Sequence, residues 1–395
     1  MKIYFYFFFL LFLIMTTNCG ESPPFSGKVT ITNDGEWGSM VYLIQPRSFD
    51  GIASSYEGIV LDSAIVDVEG NFVFNEMPNA PESILLQIAV QKKGERFLNK
   101  LENEHLDRAN YFPLIWENGK AINISANAIH FQKSFSIKNP SAQNAAMLRL
   151  RDIRIDSFNK HLSINAEDDH DEQKIIEQAE ALLNYQKPLM DFANESSELL
   201  PAIVAVRWVS IEDDYERVPE FLFNQCEKWK KNTPNHPWVI QLCEKGSREI
   251  LPVMKGDMIP DFPLPMLSDE TFPLKELLSK ELTILDLWAS WCAPCRTENR
   301  DFLVPLWDKH HKAGFQIVGY ALDASEKTWK SAIEKDGADR WLHASHLQGD
   351  DSPFFNKLNI KTIPANFLID GSGKVIAKNL HGEDLVKFVD EYMSK

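Results

Sequence analysis

Two cysteines separated by two residues stand where an apolar run gives way to a helix-forming one. Residues 283–288, Thr-Ile-Leu-Asp-Leu-Trp, lead through Ala289, Ser290 and Trp291 into Cys292-Ala293-Pro294-Cys295. An apolar strand that ends at a helix start commits this part of the chain to an alternating strand–helix architecture. One turn of helix brings the two sulfurs together. Cys292 lies where the helix dipole and unpaired N–H groups favour a thiolate, while Cys295 is carried inside the first turn. The spacing is what reversible disulfide chemistry requires. Zinc is the rival for any such pair, but a tetrahedral site needs two further ligands. The other cysteines of the chain body, Cys226 and Cys243, lie far away in a helical stretch. Neither a metal nor a cofactor is expected.

Asp286 stands six positions before Cys292 inside the apolar run 284–288, where a lone carboxylate is costly to bury. A structural role would need a salt-bridge partner, and none is evident nearby in the sequence. The functional alternative is a carboxyl of raised pKa that accepts the proton of Cys295 when that thiol resolves a mixed disulfide. Trp288 and Trp291 read first as packing residues, with Trp291 the better placed to flank an exposed sulfur.

The rest of the chain bounds what can surround this motif. It has 395 residues, a net charge of −16 and 44% hydrophobic residues, so two to four domains with an acidic surface are expected. That balance argues against a nucleic-acid partner, whose phosphates need clustered Lys and Arg. Beyond the first fifteen residues no apolar run approaches the roughly 20 residues that cross a bilayer, which excludes a polytopic membrane protein. At the N-terminus Lys2 precedes the apolar run 3–15, then Thr16, Thr17, Asn18 and Cys19. Residues 1–18 read as a signal peptide. A cysteine directly after such a run resembles the lipobox of bacterial lipoproteins, although Asn18 departs from the usual small residue. The plainer alternative is a secretory signal with an incidental cysteine. A lipidated Cys19 would anchor the chain in the cell envelope facing the periplasm, with 19–26, including Pro23 and Pro24, as a short tether.

Three segments follow. In 27–139 apolar residues alternate at Val29/Ile31, Val41/Leu43, Val66/Val68, Phe72/Phe74, Ile122/Ile124 and Phe135/Ile137, and Glu69-Gly70-Asn71 is a hairpin signal. This pattern predicts a small antiparallel β-sandwich. Segment 140–257 changes to helical spacing, with a helix over 173–193 interrupted by Pro188. Its acidic run 167–172 lacks the glycine turn and ligand spacing of a calcium loop and reads as a solvated helix start. Segment 258–395 alternates strands at 283–288, 315–322, 366–369 and 375–377 with helices at 298–312, 326–336 and 384–393, as one α/β domain.

Cys226 and Cys243 lie on two helices, 221–231 and 238–245, joined by a Pro-containing turn centred midway between them. In an antiparallel hairpin they face each other at matching heights, at a Cα separation a disulfide tolerates. The alternative is two buried free thiols packing as small apolar residues.

Residues 286–295, Asp-Leu-Trp-Ala-Ser-Trp-Cys-Ala-Pro-Cys, resemble the active-site stretch of thioredoxin-fold proteins. The whole C-terminal segment is similar to the TlpA-like family of membrane-tethered thiol–disulfide oxidoreductases. Pro260-Asp261-Phe262, Ile363-Pro364, Leu368-Ile369-Asp370 and Gly371-Ser372-Gly373 carry the match further. The resemblance implies a cis Pro364 facing the disulfide and a backbone at Ile363 that pairs with substrate, with Trp291 flanking. Ala293 replaces a glycine common in thioredoxins. The first segment resembles a β domain of unknown function often fused ahead of such modules, through Leu61-Asp62-Ser63-Ala64 and Gly70-Asn71-Phe72.

The leading expectation is an enzyme that reduces or exchanges protein disulfides, recharged by an upstream dithiol donor in the envelope. Cys292 attacks, Cys295 resolves and Asp286 manages its proton. A redoxin-type peroxidase is the alternative on the same fold; it would normally carry Thr where Ala289 stands. An envelope binding module with an auxiliary redox domain is the third reading, and the intact Cys292, Cys295, Asp286 and Pro364 set counts against it.

Overall fold

The computed structural model describes residues 23–32, 35–54, 58–102, 106, 109–163 and 173–395. The expected signal peptide 1–18, Cys19, residues 20–22 of the expected tether and the acidic run 167–172 lie outside these.

The first segment runs β1 (Phe25–Thr30), β2 (Trp37–Pro46), α1 (Gly51–Ser54), β3 (Gly58–Ile65), β4 (Asn71–Phe74), β5 (Ile84–Lys92), β6 (Tyr111–Trp116), β7 (Ile122–Asn127), α2 (Phe131–Ser134) and β8 (Ser136–Ile137). The strands form two four-stranded sheets, ordered β4-β1-β7-β8 and β3-β2-β5-β6. Period-two alternation predicts β1, β4 and β7, which bury one face. It misses β5 and β6, which are buried on both faces along most of their length and so show no alternation. The expectation of a purely antiparallel arrangement needs correction, because β1 and β7 pair in parallel. The whole second sheet lies between them in sequence and supplies the long connection that parallel pairing requires. Val66 and Val68 fall in the turn after β3 rather than in a strand. There Gly70 has φ 91°, and a Cβ on it would lie 2.8 Å from the Val29 carbonyl oxygen.

Five helices follow: α3 (Ala142–His161), α4 (Gln173–Glu195), α5 (Leu199–Val209), α6 (Pro219–Asn232) and α7 (Pro237–Lys245). Ser141 caps α3 by accepting the Asn144 N–H. The Asn144 side chain accepts from the Ile115 N–H at 2.9 Å and donates to the Ile115 carbonyl at 2.8 Å, which fastens α3 to β6. One apolar core therefore runs from Phe25 to Met254 through strands and helices alike, across the boundary expected at 139/140. The expected break at Pro188 is also corrected: α4 continues through it. Tyr185, Leu189, Phe192 and Ala193 bury the flanking turns, and this burial offsets the roughly 3 kcal/mol an interior proline costs.

The remaining elements are β9 (Pro263–Pro265), β10 (Thr271–Pro273), α8 (Leu274–Leu277), β11 (Leu282–Trp288), α9 (Ala293–Glu298), α10 (Val304–His310), β12 (Phe315–Ala321), α11 (Glu326–Asp336), β13 (Leu342–Ala344), α12 (Pro353–Leu358), β14 (Ala365–Asp370), β15 (Val375–Lys378) and α13 (Gly382–Met393). Five strands make one sheet in the order β13-β12-β11-β14-β15, around a second apolar core. The central β11 is buried along its whole length, parallel to β12 and antiparallel to β14. Leu287 pairs with Ala365, so the end of β11 and the start of β14 share one edge of the sheet. That edge carries both Cys292 and Pro364.

Candidate active site

The redox pair is built by a helix start. β11 ends at Trp288 and α9 begins at Ala293, with Cys292 as N-cap in extended backbone (φ −83°, ψ 97°). Its Sγ accepts the Cys295 N–H at 3.3 Å, the position a capping oxygen takes elsewhere. Cys292 and Cys295 are joined in a disulfide, with Cα atoms 5.3 Å apart. Because the Cys292 side chain turns inward to cap its own helix, both cysteines are buried, at 6% and 2% exposure, and the expected contrast between them is small. Trp291 projects outward beside them at 62% exposure, whereas Trp288 is fully buried.

Polar contacts pin the connecting loop and the helix. The buried Asp323 carboxylate accepts from the Ser290 N–H at 2.9 Å and from its hydroxyl. Arg296 donates to the Ser290 carbonyl at 3.2 Å and pairs with the buried Asp336, which Arg300 also reaches at 3.1 Å. Pro294 occupies an early helical position where no N–H is needed. The helical run continues from α9 into α10 through a single π turn, Asn299–Leu303, and Pro305, which lacks an N–H, follows directly. The expected helix start at 298 therefore moves back to Ala293.

Asp286 lies in the middle of β11 at 4% exposure. Burial holds its carboxyl well above the ordinary carboxylate range, and the nearby charge of Glu298 pushes in the same direction. Glu298 is a residue that the sequence pattern does not single out. It is 3% exposed, and its two oxygens lie 3.1 and 3.0 Å from His381 Nδ1, with the Gly382 N–H donating at 3.3 Å. A signal was available: Glu298 stands one turn after Cys295 on the same face of the helix. Two buried carboxyls thus stand in different surroundings, Glu298 at the end of the redox helix beside an imidazole and Asp286 in β11, where burial disfavours its charged form.

The Ile363–Pro364 peptide bond is cis, and Pro364 directly precedes β14. Cys226 and Cys243 form a second disulfide, with Cα atoms 4.9 Å apart, between α6 and α7 and outside this site. No cluster of three or more metal-ligating side chains occurs among the described residues.

Residues 255–378 match the AhpC/TSA family. The thiol-disulfide oxidoreductase ResA of Bacillus cereus is 26% identical over 140 residues, covering 35% of this chain and 77% of that protein. The thiol:disulfide interchange protein DsbE of Tatumella citrea is 30% identical over 138 residues, covering 33% and 66%. Among solved structures, a thiol-disulfide oxidoreductase from Bacteroides fragilis shares 30% identity, covering 34% of this chain and 98% of that one, with a TM-score of 0.31. With a Cys-x-x-Cys pair at the cap of the helix that follows β11, a match to the AhpC/TSA model and relatives that are thiol–disulfide oxidoreductases by name, the C-terminal part of this chain is an AhpC/TSA-type thioredoxin-like domain with the character of a thiol–disulfide oxidoreductase.

Proposed function

We propose that this chain is a lipid-anchored envelope protein that reduces protein disulfides on the periplasmic side of a membrane, through the Cys292/Cys295 dithiol. The observation that carries the redox part is the Cys292–Cys295 disulfide at the cap of α9, where the Cys295 N–H already points at the Cys292 sulfur. In the reduced protein that N–H and the helix dipole favour the Cys292 thiolate. Cys292 attacks one sulfur of a substrate disulfide and releases the other as a thiolate. Cys295 then loses its proton and attacks Cys292, which frees the second substrate thiol and regenerates the internal disulfide. Two electrons pass to the substrate, and an upstream dithiol returns them. Asp286, whose carboxyl pKa is raised by burial and so made more basic than an ordinary carboxylate, accepts the Cys295 proton when that thiol attacks. Trp291 and the backbone of Ile363 offer the substrate a face and an edge. The two N-terminal sheets form a sandwich that carries this module away from the anchor.

Reduction of insulin by the reduced protein, lost in Cys292→Ser, tests the activity. Brief alkylation at neutral pH should label Cys292 before Cys295; the reverse order would exchange their roles. Titration of the couple against glutathione decides direction. A potential near that of thioredoxin, about −270 mV, supports reduction, and one near that of DsbA, about −120 mV, would make the protein an oxidant. Palmitate labelling that disappears in Cys19→Ser tests the anchor.

A further inference from the structure

The loop that carries Pro364 is held by residues from the helical segment, not by its own domain alone. Glu216, 8% exposed, lies between α5 and α6 and belongs to the first core's side of the molecule. Its carboxylate accepts from the Lys361 N–H at 3.1 Å, from the Thr362 N–H at 3.2 Å and from the Thr362 hydroxyl at 2.7 Å. The next residue, Arg217, donates through Nη2 to the Pro364 carbonyl at 3.1 Å. These contacts occupy backbone groups on both sides of Ile363. The N–H and carbonyl of Ile363 itself take no partner among the described residues.

The gripping loop is itself rigidly built. Tyr215 donates its hydroxyl to the Val206 carbonyl at 2.9 Å, Asp214 accepts from the Glu216 N–H at 3.0 Å, and Ser210 accepts from the Asp214 N–H at 2.8 Å. Asp213 is tied to Arg207 and Lys245. A second set of contacts fixes the same flank: Asn359 donates to the Leu251 carbonyl at 3.2 Å and Lys378 to the Val253 carbonyl at 3.1 Å. The helical segment also reaches the other wall of the site, because α4 approaches α9 to within 8 Å between Cα atoms.

We infer that Glu216 and Arg217 are positioning residues that hold the 361–364 backbone so that Ile363 presents its free N–H and carbonyl to an extended polypeptide bearing the target disulfide. The inference rests on the oxidoreductase reading and adds the origin of its protein selectivity. A polypeptide gains hydrogen bonds along this edge, as in strand addition. A small disulfide has no backbone to pair and gains nothing from them.

The test compares insulin with hydroxyethyl disulfide, using the full chain. In Glu216→Gln the amide cannot accept on both sides, and the ratio of kcat/KM for insulin to that for hydroxyethyl disulfide should fall about tenfold, the scale of one lost hydrogen bond to a charged group. Amide exchange at Lys361 and Thr362 should quicken, while the Cys292/Cys295 potential stays in place. Thr362→Val removes only the hydroxyl contact and should lower the same ratio by about threefold; it decides the matter if Glu216→Gln does not fold. An unmoved ratio in an active protein, or equal losses on both substrates, would overturn the positioning role alone. A wild-type protein inactive toward both disulfides would overturn the oxidoreductase reading and this inference with it.

Discussion

Single buried ionisable groups of the C-terminal domain make opposite predictions about pH. Asp286 has its folded pKa raised by burial and by Glu298. The native state therefore holds one proton more than the unfolded chain above the ordinary carboxylate pKa. Stability from this group is fully present in acid and declines by about 1.4 kcal/mol per pH unit as pH rises through the window up to the raised value. Denaturant unfolding of Asp286→Asn at a series of pH values should lack that decline. The same variant should leave the first attack by Cys292 intact and slow release of the mixed disulfide about 10²–10⁴-fold if its general-base role is lost; unchanged turnover would remove Asp286 from the mechanism. His343, 3% exposed in β13, donates from Nε2 to the Ala338 carbonyl at 2.7 Å. Burial lowers its pKa to about 4. Here the unfolded state binds the extra proton, so stability is lost as pH falls from the ordinary imidazole value to that of the folded state. Acid unfolding should show a loss of up to about 3 kcal/mol from this residue. His343→Gln should flatten it, and an unaltered acid limb would show that other groups govern it. The burial of Asp286 is legible in the sequence because it stands inside an unbroken apolar strand. That of His343 is not, since a histidine inside a three-residue strand reveals its burial only when Trp288 and Trp341 close around it.

At the scale of elements, the α6–α7 hairpin is stapled by the Cys226–Cys243 disulfide. Gly246, just after α7, lets the chain pass close to the bond: a Cβ there would lie 3.1 Å from the Cys226 Cβ and 3.1 Å from the Leu222 carbonyl oxygen. The staple closes a short loop, and Cys226→Ser/Cys243→Ser should lower stability by about 3 kcal/mol, read as a shift of the denaturant midpoint at constant slope. A soluble chain beginning after Cys19 and carrying Cys292→Ser/Cys295→Ser should show no free thiol when denatured without reductant. Two thiols would mean that the pair stays reduced. The register of this hairpin is readable from its turn, because Pro234 follows the end of α6, Pro237 opens α7, and together they fix the midpoint. The continuity of α4 through Pro188 is not, because local propensity argues for a break and only packing of Tyr185 and Leu189 against neighbouring helices outweighs it.

At the scale of the whole molecule there are two apolar cores, one spanning Phe25–Met254 and one spanning Ile259–Val389. Besides the close approach of α4 to α9, they are joined by hydrogen bonds and ion pairs through Glu216, Arg217, Asn359 and Lys378, whose ammonium also lies 3.7 Å from Glu220. Polar contacts of this kind couple domains less strongly than shared apolar burial. Calorimetry should accordingly resolve two transitions, and Cys292→Ser/Cys295→Ser should move only one; a single transition shifted as a unit would show that the polar seam welds the cores together. Features carried on contiguous residues are legible without the fold. Asp286, Trp291, Cys292 and Cys295 fall within one strand, the short loop after it and one helical turn, and their spacing dictates their geometry before any long-range contact forms. Relations between distant segments come from the folded chain alone: the parallel pairing of β1 with β7, the merging of strands and helices into one core, the Glu298–His381 pair and the grip of Glu216 on the 361–364 loop. A buried carboxylate and a surface one look alike in a sequence, and only the fold determines which amides it will meet.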